Sequence, residues 1–233
     1  MSLPEFDFDS LTELHNSVNE LLSSPTTKRE IIHNGHEKWG HDVSEASLKM
    51  ADSCSAAKDL LLLAKDHLQS LQSAFRRIAA TTETAENNFA HHRLPRKQLK
   101  KAILKRIHSL KAGSQPPQPA AAAGQTLAAV VNLLKEVRAT TLLIVRSVLT
   151  LIAIPNPVNK PGSGKKDPIF RIRFTRVDSL SIWEKSDVVL DTRSVMKRLE
   201  EVEMVVGDME AELEDMFRRL IRTRASLLNI LNT

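Results

Sequence analysis

The chain has 233 residues, which suits one large domain or two small ones. Its 42% hydrophobic and 26% charged residues exclude a disordered tail or a collagen-like fibre. Seven Gly and no Tyr argue against a sandwich or barrel, which needs many turns and strand-forming aromatics. The single cysteine, Cys54, excludes an internal disulfide framework and a Cys-based structural zinc site.

Residues 1–10 (MSLPEFDFDS) carry three acids and no base, so they lack the charged start of a signal peptide and the Arg-rich character of a transit peptide. Ser2 does not fit the myristoylation motif. The expected location is therefore the cytoplasm, with the nucleus or a membrane surface as alternatives. The most apolar stretch is Leu142–Ile154, interrupted by Arg146. It falls short of the ~20 residues a membrane span needs and reads as a buried helix.

The first helical segment runs from Asp9 to about Ser23. Ser10 and Glu13 have capping-box spacing, and Leu11, Leu14, Val18 and Leu21 form one apolar stripe. Ser24-Pro25 is a stop and restart, with Ser24 as N-cap and Pro25 at the first helical position; Gly35 can end this second helix. The third segment, Asp42–Ala80, places Val43, Ala46, Met50, Cys54, Ala57, Leu61, Ala64, Leu68, Leu71, Phe75 and Ile78 at alternating steps of 3 and 4. It would be roughly 58 Å long at about 1.5 Å per residue. Residues 84–112 form a weaker helix, kinked or broken near Pro95. A low-complexity linker follows at 113–124.

Gln125–Ile154 is a fifth helix whose seam runs through Leu127, Val130, Leu134, Val137, Thr141, Ile144, Val148 and Leu151. Apolar residues on its other faces suit a central position in a bundle. Residues 155–186 form a second linker, within which Ile169–Val177 alternates apolar and basic residues like a strand. The last helix runs from about Asp187 to Asn229. Val195, Leu199, Val202, Val206, Met209, Leu213, Met216, Leu220, Thr223, Leu227 and Ile230 make its seam, with Gly207 a weak point. The expected fold is all-α: a single domain over 1–233, built as an elongated antiparallel helical bundle of three long helices plus shorter ones. The period does not decide whether seams pair within or between chains.

Charge is segregated. From His91 to Gln125 there are eight basic residues and no acid; from Lys197 to Asp215, eight acids face two bases. The basic stretch includes Arg96, Lys97, Lys100, Lys101 and Lys105 and offers a surface for anionic lipid or nucleic acid. The bland reading is a solvated face partly neutralised by the acidic helix. No aromatic interleaves the run, which disfavours base stacking and so nucleic acid. Arg218, Arg219, Arg222 and Arg224 form a second cluster, suited to binding or to meeting the helix dipole near a C-terminus.

Motifs of chemistry fail on spacing. HEKWGH holds two histidines five apart, not the four of a helical zinc motif, and Gly40 argues against a continuous helix there. Gly162–Lys166 lacks the earlier Gly and following Ser or Thr of a phosphate loop. Cys54 lies on a seam and reads as a packed apolar group. No catalytic constellation emerges, so no enzyme activity, metal or cofactor is expected.

Several blocks in order resemble the plant-specific BYPASS-related family. They are DSLTELHNSVNELL, then HEKWGHDVSEASLKMADSCSAAKDLLLLAKDHLQSLQSAFRR, then KQLKKAILKRIHSLK, and finally FRRLIRTRASLLNILNT. The resemblance implies an all-helical protein without known catalysis, linked to root and shoot development through restraint of a mobile signal. It carries over no functional residue. The family's basic, Ser- and Pro-rich N-terminal arm has no counterpart ahead of the first helix here, and 155–186 matches poorly. The expected role is a non-enzymatic scaffold or regulator that binds other proteins. The alternative is a peripheral binder of anionic membrane, or of nucleic acid, through 93–111.

Overall fold

The computed structural model describes residues 8–34, 37–80, 85–111, 125–153 and 192–232. Among them the chain forms six α-helices and no strand: α1 (Phe8–Ser23), α2 (Pro25–Asn34), α3 (Glu37–Ala80), α4 (Ala85–Lys111), α5 (Gln125–Ala153) and α6 (Thr192–Leu231). The fold is an all-α, bundle-like arrangement. The strand-like 169–177 stretch, both linkers and Gly35 lie outside the described residues.

The periodic apolar lines predict the core closely. All eleven seam residues of α6 are buried, Thr223 among them. On α3, Val43, Met50, Cys54, Ala57, Leu61, Ala64, Leu68 and Leu71 are buried, and Ala46 and Phe75 are half-buried. Cys54 is packed fully inside. On α5 the seam is buried except Leu134, and Val131, Val145, Leu149 and Ile152 are buried too. Leu143 is the exception, 65% exposed.

Contacts divide the chain into two compact units, and α3, α4, α5 and α6 supply residues to both. One unit comprises, of the described residues, 59–80, 85–108, 147–153 and 192–210. Its buried side chains include Leu61, Leu68, Leu71, Ile103, Ile152, Leu199 and Met209. Lys65 Nζ lies 3.6 Å from Glu210 Oε2, while Gln69 and Gln72 each donate an amide N–H to Glu203 at 2.7 Å. Numbers rise along α3 as they fall along α6, so the two helices run antiparallel here. Arg96 of α4 points both guanidinium Nη atoms at the Ile152 carbonyl at the C-terminal end of α5, at 3.4 and 3.5 Å. A cation there meets a carbonyl of the last turn and interacts favourably with the helix dipole.

The other unit comprises 8–34, 37–58, 109–111, 125–146 and 211–232. Lys58 Nζ donates to Glu214 Oε2 at 2.6 Å, and Arg224 Nε donates to Ser44 Oγ at 3.1 Å, again antiparallel. The Leu127 N–H in the first turn of α5 donates to Glu30 Oε2 of α2 at 2.9 Å. A carboxylate from another helix thus caps α5 where its own sequence offers no acid.

Local rules explain the departures from expectation. The Ser24-Pro25 restart stands: Ser24 offers its carbonyl to the Lys28 N–H at 3.1 Å, and α2 begins at Pro25. The Ser10 capping box does not, because α1 begins at Phe8 and Ser10 lies within its first turn. The buried line of α1 runs Phe8, Leu11, His15, Val18, Leu22, with Leu14 and Leu21 at its edge. α3 starts at Glu37, so Gly40 sits inside a helix rather than in a loop. A Cβ at Gly40 would fall against the Leu231 side chain, so glycine gives that residue room. α4 is continuous through Pro95. The proline removes one backbone donor but leaves its ring exposed, and the helix is tied on either side by buried His92 and Leu99.

Gly207 lies in mid-α6, and a Cβ there would meet nothing within 4 Å. Gly207→Ala should therefore raise stability by about 1 kcal/mol through helix propensity alone. A urea titration checks this; an unchanged or lowered midpoint would show that the helix interior needs glycine at that point.

Candidate interaction surfaces

The basic stretch becomes one helix with two unlike faces. His92, Leu99, Ile103 and Ile107 of α4 are buried. The opposite face carries Leu94, Lys97, Lys101, Leu104, Lys105 and His108, all exposed. Spacings of 3, 4 and 7 hold these residues within about a third of the helix circumference. Arg96 falls on the buried line and Lys100 at its border, both half-buried, and Arg96 is committed to the Ile152 carbonyl. Three acids of the acidic helix are engaged with α3: Glu203, Glu210 and Glu214 of α6 reach Gln69, Gln72, Lys65 and Lys58. Among the described residues no ion pair reaches Lys97, Lys101 or Lys105.

The arginine cluster of α6 splits between inside and outside. Arg224 is half-buried on Ser44, and Arg219 is half-buried with its charge near His15. Arg222 is exposed, and Arg218, 67% exposed, pairs along its own helix with Glu214 at 3.1 Å and Asp215 at 4.0 Å. The dipole reading fails because α6 continues to Leu231 and its last turn holds no base. The dipole's effect does not extend beyond that turn.

Besides His92, two buried histidines with lowered pKa values escaped the sequence reading. His15 Nδ1 lies 3.4 Å from Thr223 Oγ1, whose hydroxyl reaches Asn19 Oδ1 at 3.5 Å. Thr223 has one proton; when it goes to Asn19, Nδ1 must donate, which leaves Nε2 as the bare nitrogen. His15 Nε2 is buried with no hydrogen-bond partner among the described residues. Burial first, and the nearby Arg219 second, lower its pKa from 6.5 to about 4. In the other unit, His67 meets His92 edge to face at 6.1 Å. Burial, Arg96 and His92, in that order, lower His67 from 6.5 to about 4. Both histidines fall on the 3-and-4 spacing of their helices, which is the signal that marks them as core.

Among the described residues no group of histidines, cysteines and carboxylates could hold a metal. His33 and His41 are exposed, and His36 lies outside the described residues. A cleft of about 30 Å³ sits beside Trp39, Met50 and Val131, and a broader one of about 400 Å³ lies between α1, α2 and the end of α6. Neither is lined by a carboxylate or a histidine.

The family model described as Protein BPS1 matches residues 7–230. The chain belongs to the BPS1 family. This is the BYPASS-related family whose sequence blocks the chain resembles. No curated protein and no solved structure matches it. Membership in the BPS1 family suggests a plant developmental protein. Among the described residues no helix of this BPS1-family chain is long and apolar enough to cross a membrane.

The buried histidines make stability depend on pH. Their folded pKa values lie below the unfolded 6.5, so the unfolded chain takes up protons first as pH falls. Stability should therefore drop between about pH 6.5 and pH 4, by up to about 3 kcal/mol for each histidine. Urea titrations at pH 7 and pH 5 check this. The double variant His15→Leu/His67→Leu should lose much less stability over that interval than the parent; an equal loss would assign the effect to carboxylates.

Proposed function

We propose that this BPS1-family protein is a non-catalytic helical scaffold or regulator, working in the cytoplasm by binding other proteins in root and shoot development. The observation that carries this reading is the division of labour along α6. Arg219 and Arg224 turn inward, while Arg218 and Arg222 turn outward on either side of Ile221, 36% exposed. Arginine is enriched at protein interfaces, where its planar cation can bind a carboxylate through two hydrogen bonds. The inward face holds the helix in place, so the outer face is presented without an ordering cost. The partner surface this suits is acidic. The family match and the absence of histidine or carboxylate from both clefts support a binding role over a catalytic one.

Deleting the end of α6 would be a poor test, because Leu220, Thr223, Leu227 and Ile230 are buried. Arg218→Glu/Arg222→Glu changes only exposed side chains. With helicity retained, this variant should lose at least tenfold in the capture of partners from root extract by pull-down. Undiminished capture would remove α6 as the contact surface.

A further inference from the structure

We infer that the outer face of α4 is a docking surface for an anionic lipid bilayer. The inference uses none of the arginines of α6 and does not rest on the protein-binding reading above. Three properties of the face converge. The first is charge: from His91 to Gln125 the chain has no acid, and Lys97, Lys101 and Lys105 stand at successive steps of four along one exposed line. Among the described residues none of the three has an ion-pair partner, and the acids of α6 named above are engaged with α3. The second is the apolar content. Leu94 is 63% exposed and Leu104 43% exposed, and both belong to the same face as the lysines. Exposed leucines gain nothing from phosphates along a nucleic acid, whereas a bilayer takes them into its interfacial layer while the lysines reach headgroups on flexible stems. The third is support. Leu99, Ile103 and Ile107 hold the opposite face in the core of the unit, so the docking face is already helical before any membrane arrives. A surface helix that must fold on the membrane pays its ordering entropy there; this one does not.

The chemistry also selects the class of partner. Lysine offers a compact point charge suited to diffuse headgroup fields, and no aromatic residue lies between Arg93 and Gln125 to stack on bases. Near an anionic surface each lysine contributes about 1 kcal/mol. Three lysines acting together therefore correspond to about a hundredfold in partitioning, with strong salt dependence.

Co-sedimentation of the full chain with vesicles tests the inference. One set is phosphatidylcholine alone and the other contains phosphatidylserine, each at low and high salt. The parent protein should sediment with the phosphatidylserine vesicles at low salt, weakly with phosphatidylcholine, and less at high salt. Lys97→Glu/Lys101→Glu/Lys105→Glu, which reverses these charges, should lower partitioning at least a hundredfold. Lys28→Glu/Lys49→Glu/Lys197→Glu changes net charge equally at exposed sites on other helices and should leave most of the binding intact. Leu94→Ser/Leu104→Ser should weaken binding several-fold while the salt dependence persists. Circular dichroism of each variant confirms that helicity is retained. The inference is overturned if the parent protein does not sediment, if the two lysine triplets lower binding equally, or if the leucine pair has no effect. Tighter binding to single- or double-stranded nucleic acid than to phosphatidylserine vesicles, lost in the α4 lysine triplet, would also overturn it in favour of a nucleic-acid surface.

Discussion

A long helix is marginal in water unless one of its faces is covered. In α6 that face is a line of eleven residues from Val195 to Ile230, every one of them buried. The same constraint fixes the polar decoration beside it. Once the line faces inward, Glu203, Glu210 and Glu214 lie at its margin and reach α3, where Gln69, Gln72, Lys65 and Lys58 receive them. Glutamine donors to Glu203 and the lysine on Glu214 hold both carboxylates below their ordinary range. These are partly exposed contacts of modest strength. Their value is directional: they specify which way α3 and α6 run past each other in each unit, while the apolar line supplies the stabilisation.

Thr223 shows how such a line admits a polar atom. It is the one position of the eleven that is not apolar, and it faces His15, the one polar member of the buried line of α1. Each exception explains the other, since a buried hydroxyl and a buried imidazole cost less together than apart. Asn19 completes the network from the half-buried edge. The arrangement works only with a neutral imidazole, because a second proton would sit on a nitrogen with no acceptor and near Arg219.

Periodicity made most of the fold legible. Lines such as Leu61–Ala64–Leu68–Leu71 declare their helix because steps of 3 and 4 leave no other regular structure with one apolar side. The ends of helices were harder to read. Ser10 has the right neighbours for a cap, yet Phe8 joins the buried line and draws the helix back ahead of it. Gly40 looks like a terminator, yet α3 runs through it, and the space its side chain would fill belongs to Leu231. Both are decisions of tertiary packing, which no local rule contains. The candidate surfaces were legible as clusters of charge and illegible as faces. Arg96 and Lys97 are neighbours in sequence, but one is spent on the Ile152 carbonyl and the other faces solvent.

That sorting carries the functional argument. A half-buried cation that satisfies a carbonyl, a hydroxyl or a carboxylate of another helix has its electrostatic work done inside the molecule, and its presence says nothing about partners. Arg96 and Arg224 are of this kind, and Lys58 on Glu214 nearly so. Lys97, Lys101 and Lys105 are different. The fold neither buries them nor gives them a described counter-charge, and it places Leu94 and Leu104 among them where water gains nothing from their exposure. Solubility alone would be served by interspersed charges of both signs. A face of one sign, with apolar side chains between the charges and a buried face behind it, is matched in charge and polarity by a surface of the opposite sign with an apolar margin.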